Sequence, residues 1–447
     1  MAALLLLLAL TMTPPSTAYT TCTWTPHGSP HPLHALSSDN VCPLPGSSAP
    51  WSHPPLCPPP SNPSVGGDLP DPCLYTHSTF RGNTGLTLLT SPDIAASLAP
   101  TLDDTTVPPP FRSHITSPQH PLSLSPSAEA EAARGFTIVP LPGRGLGVLA
   151  TRPLAKGELV MVAAPVLLVR SDFVTTTTTG GASEAGGRFS VRQQEGVLER
   201  GARQLPMETQ RRLAGLARRG EEHTSFGGLV RDVLGTNAFH LEVEGVDHLA
   251  LYLEPSRMNH GCRPNVFWRF SWKHMTMEVI ALRDIKPGEE IVYSYTFLGY
   301  TRQERQAMLA HWGFTCSCAM CTAGPSESAL SDRRRDRLFE LHATLSAAAE
   351  APESLPRERV DALVAETRGL IDDEQLDPQL VEYYQVFARV YLALGDGRRA
   401  REYVRAAEEK WVLYEGEEHS NVEGIRGLWE EVELLGGEDD DDDDEEW

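Results

Sequence analysis

Three cysteines crowd into six positions, "CSCAMC" at 316–321, and the rest of the fold has to accommodate them. An odd number of close thiols cannot be closed off by disulfides among themselves. A tetrahedral zinc site, by contrast, takes three such thiolates plus one further ligand. Cys262 is the one other cysteine beyond residue 73. The spacing therefore predicts a metal centre of Cys262, Cys316, Cys318 and Cys321, clamping segment 312–321 onto loop 257–265. The alternative is four separate buried thiols. Four thiolates leave no open coordination position, so the zinc is expected to be structural.

Cys262 itself stands in "RMNHGCRPNVFWRF" (257–270), a polar Asn-His cluster feeding an aromatic, β-branched run. Pro264 fixes its own φ and removes a donor, so a turn is expected there and a strand from Val266 onward. Upstream, "LPGRGLGVLATRPLAKGELVMVAAPVLLV" (141–169) reads as a Gly-rich turn, a strand, a Lys-Gly turn and a second strand. Gly145 and Gly147 permit backbone conformations and close approach that a side chain would block. A dinucleotide fingerprint needs a helix after its glycines, and here β-type sequence follows. The glycines thus mark a different cofactor grip, or only a hairpin. Downstream, "MTMEVIALRDIKPGEEIVYSYT" (275–296) gives a strand, a turn at Lys286-Pro287-Gly288, and a strand ending in Tyr293 and Tyr295.

The formal net charge is −22, and it stays acidic when the run "EDDDDDDEE" (438–446) is set aside. That sign argues against direct nucleic-acid binding and favours a basic protein or peptide partner. "MAALLLLLAL" followed by "STA" reads as a secretory leader over residues 1–18, although its first residues lack Lys or Arg. The run is too short to span a bilayer, and no transmembrane segment is expected. Of the 36 prolines, 24 precede Ser127, so residues 19–129 cannot form one regular domain. Only 73–98 looks structured, as two short strands around a Gly turn followed by a helix. Behind a leader, Cys22, Cys42, Cys57 and Cys73 allow two disulfides in three pairings, or four loose thiols.

The ordered set "GRGLGVLA", "NHGCRPN", "GEEIVYSY" and "CSCAMC" resembles the SET-domain protein-lysine methyltransferases. Within them it is most similar to the SMYD-like group, including its fungal members. The resemblance implies an α+β fold of small β-sheets with a knot-like crossing near the final tyrosine. It places the SET domain at 130–297, a post-SET zinc segment at 298–324, and a helical C-terminal region at 330–436. It also implies S-adenosyl-L-methionine as cofactor and a lysine-bearing protein or peptide as substrate. Arg144, Gly145 and Leu146 would wrap the cofactor through backbone contacts. Asn259 and His260 match the pair that binds it, as does Asn237 in "TNAF", while Trp312 and Phe314 match the aromatic cover of the adenine. Tyr295 matches the catalytic tyrosine, and Tyr252 a further active-site tyrosine of the subclass.

The chain departs from that pattern in three places. The zinc finger (MYND) normally inserted in the subclass is missing, since residues 171–240 contain no cysteine and instead offer "TTTTTGGASEAGG" and a helical stretch. Gly261 stands where a small polar residue is common. A secretory leader is unexpected for an enzyme class of nucleus or cytosol; if the leader works, the protein enters the secretory pathway and its substrate is not chromatin. Residues 383–414 resemble one tetratricopeptide-type hairpin, read either as a peptide-binding wall or as a packing domain. The tail 437–447 reads as a disordered, solvating acidic segment. Beside the methyltransferase stand two other readings: a catalytically silent SET-fold peptide-binding protein, and a secreted, disulfide-bearing interaction protein.

Overall fold

A computed structural model describes residues 50–64, 69–103, 134–174, 187–220, 223–417 and 420–436. The leader, Cys22, Cys42, the threonine-rich loop and the acidic tail lie outside the described residues. The chain divides into two compact units. The first holds the described residues before 105 together with those of Val166–Gly215 and Glu222–Leu251.

In that first unit, β1 (Cys73–His77) and β2 (Leu86–Thr90) pair antiparallel, joined through a short helix α1 (Phe80–Asn83) and a turn at Gly85, whose φ is +78°. Helix α2 (Pro92–Asp103) follows. This matches the expected strand–turn–strand–helix, but the ordered structure reaches further back than 73–98. Leu56 bridges Leu74, Cys57 is disulfide-bonded to Cys73, and Trp51 packs on Tyr75 at 5.0 Å. A proline-rich segment cannot supply a full ladder. It is held instead by that bridge, the disulfide, the buried Trp51 ring and scattered hydrogen bonds, among them Ser52 to the Thr76 carbonyl and Asn62 to the Gly187 carbonyl.

The other strands of this unit's sheet are labelled in chain order, after β3 (Phe136–Leu141), β4 (Gly145–Ala150) and β5 (Leu159–Ala163) of the second unit. They are β6 (Leu167–Arg170), β7 (Phe239–Val243) and β8 (Val246–Leu251), and the sheet order is β1-β2-β6-β8-β7. Every residue of β2 and β6 is buried, including the polar Thr87, Thr90 and Arg170, so neither strand has a solvent face to set an alternation. Between β6 and β7 come α3 (Ser171–Val174), α4 (Val191–Gln204), α5 (Met207–Ala214) and α6 (Phe226–Asn237). The helical stretch expected here is real but broken. Pro206 has no N–H to continue α4 and stands at the N-cap of α5.

The second unit contains two sheets, a cysteine-bearing segment and the C-terminal helices. Strands β3 and β4 form a hairpin whose turn carries Gly143 and Gly145 at φ +70° and +69°. Strand β9 (Asn259–His260) is only two residues long; β10 (Val266–Ser271), β11 (Thr276–Ala281) and β12 (Glu290–Tyr293) follow. One sheet runs β10-β11-β5 and the other β3-β4-β12-β9. In the latter, β4 lies antiparallel to β12, while β9 lies parallel to it with Asn259 opposite Val292 and His260 opposite Tyr293. The strand expected to run to Tyr295 therefore stops at Tyr293, because its ladder partner is so short.

Beyond β12 come α7 (Arg302–Leu309), the short α8 (Ala319–Thr322) and α9 (Pro325–Glu350), with Pro325 at its first turn. Then follow α10 (Arg357–Glu374), α11 (Leu380–Ala393), α12 (Gly397–Glu415) and α13 (Ser420–Gly436). Leu341, Leu345, Ile371, Phe387, Val404 and Ile425 join in one core among these helices. A tight Leu394-Gly395-Asp396 turn links α11 to α12, and Asp396 caps α12 by accepting from the Arg399 amide at 3.0 Å. No helix among the described residues is long and apolar enough to cross a membrane.

Candidate functional site

The cysteine-bearing segment is built by helix signals on either side of it. Thr301 and Glu304 form a capping box that starts α7. A 3₁₀ turn over Ala310–Trp312 continues it, and Gly313 at φ +77° stops it and turns the chain back. Gln306 of α7 then brackets Cys316, donating to its carbonyl at 2.9 Å and accepting from its amide at 3.0 Å. This delivers Cys316, Cys318 and Cys321 to the loop after β9.

The Cys262 Sγ lies 3.9 Å from that of Cys316 and 3.5 Å from that of Cys321, and all four sulfurs lie within 4.8 Å of one another. Zn–S bonds of about 2.3 Å in a tetrahedron place sulfurs roughly 3.8 Å apart, so the spacing fits a zinc ion. Three of the four cysteines are buried, and Leu309 completes the cluster. Hydrogen bonding with Cys316 pushes the Cys262 thiol up, while hydrogen bonding with Cys262 pulls Cys318 down. Four thiolates at this range repel one another unless a cation sits among them.

His260 connects this cluster to the loop of Tyr295. The Tyr295 backbone N–H donates to His260 Nδ1 at 3.1 Å, which leaves the ring proton on Nε2. Nε2 lies 3.2 Å from the Cys262 Sγ and so donates to it. Burial, reinforced by Arg305 and Arg144, holds the imidazole down at about 4, so it is neutral around pH 7. The Tyr295 hydroxyl donates to the Met258 carbonyl at 2.8 Å. Its ring centroid lies 4.8 Å from Tyr293, 5.3 Å from Trp312, 5.5 Å from His260 and 6.4 Å from Phe314. Burial raises the Tyr295 hydroxyl well above the usual phenol range, and that of Tyr293 likewise.

On the other side of β9, the Asn259 amide donates to the Leu146 carbonyl at 3.2 Å and to a Glu290 carboxylate oxygen at 3.0 Å. Glu290 also pairs with Arg144, whose guanidinium reaches the His260 carbonyl at 3.4 Å. Arg144, Gly145 and Leu146 are all exposed, and added side-chain bulk at Gly143 or Gly145 would meet open space. Gly147 is different, since a Cβ there would come within 2.9 Å of the Asn259 amide nitrogen and 2.3 Å of Leu141. The hairpin thus offers an exposed backbone edge beside a fixed asparagine, with the half-buried Trp312 and the 39%-exposed Phe314 both set against Tyr295. That combination suits a nucleoside-bearing cofactor: backbone groups for polar contacts and rings for its base.

Of the residues singled out from sequence, Arg144, Gly145, Leu146, Asn259, His260, Tyr295, Trp312, Phe314 and the four cysteines all belong to the second unit. Asn237 ends α6 in the first unit, where its amide donates to the Val233 carbonyl at 2.8 Å. Tyr252 is fully buried, which raises its hydroxyl well above the usual range. Two participants went unassigned in the sequence. Glu290 binds the hairpin to Asn259, and the doubled glutamate of "GEE" was its signal. Asn265 is 1% exposed and acts as a substitute peptide group: its amide donates to the Glu290 carbonyl at 2.7 Å and accepts from the Val292 amide at 2.8 Å.

Residues 145–296 match the family described as SET domain. The chain is 28% identical over 214 residues to the histone-lysine N-methyltransferase set5 of Schizosaccharomyces pombe, covering 47% of this chain and 58% of that protein. It is 37% identical over 102 residues to the human N-lysine methyltransferase SMYD2, covering 22% of this chain and 23% of that protein. A third relative, the histone-lysine N-methyltransferase SET5 of Meyerozyma guilliermondii, is 42% identical over 74 residues, 16% of this chain and 15% of that protein. The chain therefore spans less than two thirds of the length of each of these relatives.

Proposed function

We propose that this chain, which carries a SET domain over residues 145–296, transfers a methyl group to a lysine side chain of a protein substrate. The observation that carries the reading is the setting of Tyr295, a buried hydroxyl walled by rings beside the Asn259-His260 strand. Bound S-adenosyl-L-methionine would supply a methyl on a positively charged sulfur, for in-line attack by an amine lone pair. Arg144, Gly145 and Leu146 would hold it along the open hairpin edge, with Asn259 fixed by Glu290 and the rings of Trp312 and Phe314 over its base.

The residues' own chemistry then follows. Tyr295 stays a protonated phenol at neutral pH, so it is not the base. Its hydrogen is committed to the Met258 carbonyl, which leaves its oxygen lone pairs to orient the attacking amine. The surrounding rings exclude water and favour a cationic stem. The substrate ammonium would lose one proton to solvent before entering the ring-walled site, and after transfer the methylated amine would carry the positive charge that leaves the sulfur. Zinc, held by Cys262, Cys316, Cys318 and Cys321, would fix the Trp312–Phe314 segment without touching the reacting atoms. The fully buried Tyr252 is assigned to the same chemistry, and Asn237 to the cofactor, by resemblance. The Cys57–Cys73 disulfide supports a secretory-pathway reading of the leader.

Tyr295→Phe keeps the ring and removes the oxygen. Methyl transfer from labelled cofactor to a lysine-rich protein mixture should fall roughly 10²–10³-fold, the loss typical of one aligned polar group. Calorimetric affinity for S-adenosylhomocysteine should stay within about twofold. A parent protein that binds this ligand yet methylates nothing, with Tyr295→Phe unchanged in every respect, would establish the silent peptide-binding reading instead.

A further inference from the structure

Within the second unit, α7 turns two side chains inward, Arg305 and Leu309, which stand four residues apart and so share one face. Leu309 packs among the four cysteines, which sets Arg305 one turn away on the face that meets them. A buried guanidinium there needs an explanation. Arg305 is 1% exposed; it donates to the Tyr300 carbonyl, and its Nε has no partner among the described residues. The carboxylate acting on it from its own helix is Glu304, which is exposed and accepts from the Thr301 amide at 2.7 Å. The field of Arg305 reaches His260, the ring that donates to Cys262.

A second guanidinium serves the same region. Arg335 of α9 is 0% exposed and reaches the sulfur of Met320, the residue before Cys321, at 3.6 Å. It is paired with Glu374 at 3.3 Å. Burial first and Arg305 next pull the Arg335 guanidinium down to about 10, while Glu374 and Cys262 act in the opposite sense. Among the described residues, the fully buried charges around the sulfurs are therefore two guanidiniums against one carboxylate, with His260 neutral. The partly exposed Arg263 and Arg334 also converge on Glu374, at 3.6 and 3.3 Å, which draws that carboxylate away from Arg335. Four neutral thiols would leave the excess positive charge unanswered in a place closed to water. A divalent zinc ion among four thiolates is doubly negative and answers it.

We propose that Arg305 and Arg335 supply the buried positive charge that balances a zinc centre of Cys262, Cys316, Cys318 and Cys321, and that this charge sets the centre's metal affinity. The proposal rests on the four-sulfur zinc set, but not on methyl transfer. Arg305 and Arg335 act through the sulfurs, as positioning residues.

Full-length protein tests it, with zinc affinity measured by competition against a chelator and cobalt absorption reporting the sulfur set. Arg305→Met removes the charge and keeps an apolar stem, and zinc binding should weaken about tenfold or more, in the range typical of groups that support metal ligands. Arg305→Lys keeps a cation without the planar group, and affinity should stay within about threefold of the parent. Glu374→Gln releases Arg335 from its carboxylate, and zinc should bind about threefold tighter although the fold itself is weakened. Loosened packing alone would weaken zinc in that variant, so the sign separates charge from packing. Cobalt should give the same tetrahedral four-sulfur absorption in every protein. Should Arg305→Met fail to fold, Arg305→Lys and Glu374→Gln decide the matter. Equal affinity in all the proteins, a loss in Arg305→Lys as large as in Arg305→Met, or weaker zinc in Glu374→Gln overturns the counter-charge role and leaves the zinc set standing. A parent that binds neither metal at these sulfurs overturns both together.

Discussion

The segment "NHGCRPN" gives each residue a separate task. Asn259 ties the Gly-rich hairpin to Glu290, His260 passes a hydrogen bond from the Tyr295 amide to Cys262, and Asn265 stands in for a peptide group along β12. Gly261 has no room for a side chain, because a Cβ would come within 2.7 Å of Val292. Its place in the segment is explained by packing. The motif's identity was readable from its spacing, and so was the pairing of Cys262 with the later thiols. The role of Asn265 was not, because a side chain that imitates backbone leaves no periodic trace. Cys262→Ser tests this scale. Metal analysis should fall from about one zinc per chain to well below half, and the tryptophan emission of the parent should shift as Trp312 loses its anchored segment. Full zinc retention in that variant would rule out the four-sulfur set.

Helix α9 is joined to its surroundings by charge as well as by packing. Arg335 and Glu374, both 0% exposed, lie 3.3 Å apart, and Ser331 donates to the same carboxylate at 2.6 Å. Arg334 at 3.3 Å and Arg263 at 3.6 Å converge on Glu374 as well, and Arg335 also reaches the Leu298 carbonyl and, at 3.6 Å, the Met320 sulfur. Directly or through Arg335, one carboxylate thus gathers the loop of Cys262, the Met320 segment, α9 and α10. Glu374→Ala strands a buried arginine, and urea unfolding should show a loss of roughly 3–5 kcal/mol. The sequence reading expected helices over 330–436 but could not find Glu374, since a charged residue in a helix usually faces water.

Helix α12 carries the opposite kind of element-scale tension. Glu415 puts a carboxylate at a helix C-terminus, where backbone carbonyls are already negative. Glu382 and Arg269 face it with opposite signs, and burial dominates, raising its pKa from 4.5 to about 7. Because the folded state holds this proton more tightly, stability is lost as pH rises from about 4.5 through 7. Glu415→Gln should therefore match the parent at pH 4.5 and gain up to about 3 kcal/mol over it by pH 8 in denaturant titrations. A constant difference between the two proteins across that range would show that Glu415 does not titrate as described.

At the scale of the whole chain, the sequence motifs converge on one unit and the family match, whereas the partition between units was hidden. Segment 73–98 and the helices inserted after β6 belong together, joined by a sheet in which β2 runs parallel to β6. Buried strands of this kind carry no alternation from which a neighbour could be inferred. The chain also contains two kinds of sulfur chemistry that require opposite handling. Cys57 and Cys73 are joined by oxidation, while Cys262, Cys316, Cys318 and Cys321 are free thiols close enough to oxidise one another. Any oxidant that closes the first pair threatens the other four until an ion has claimed them. If the four thiols hold zinc as proposed, the ion would have to arrive before, or together with, the oxidant.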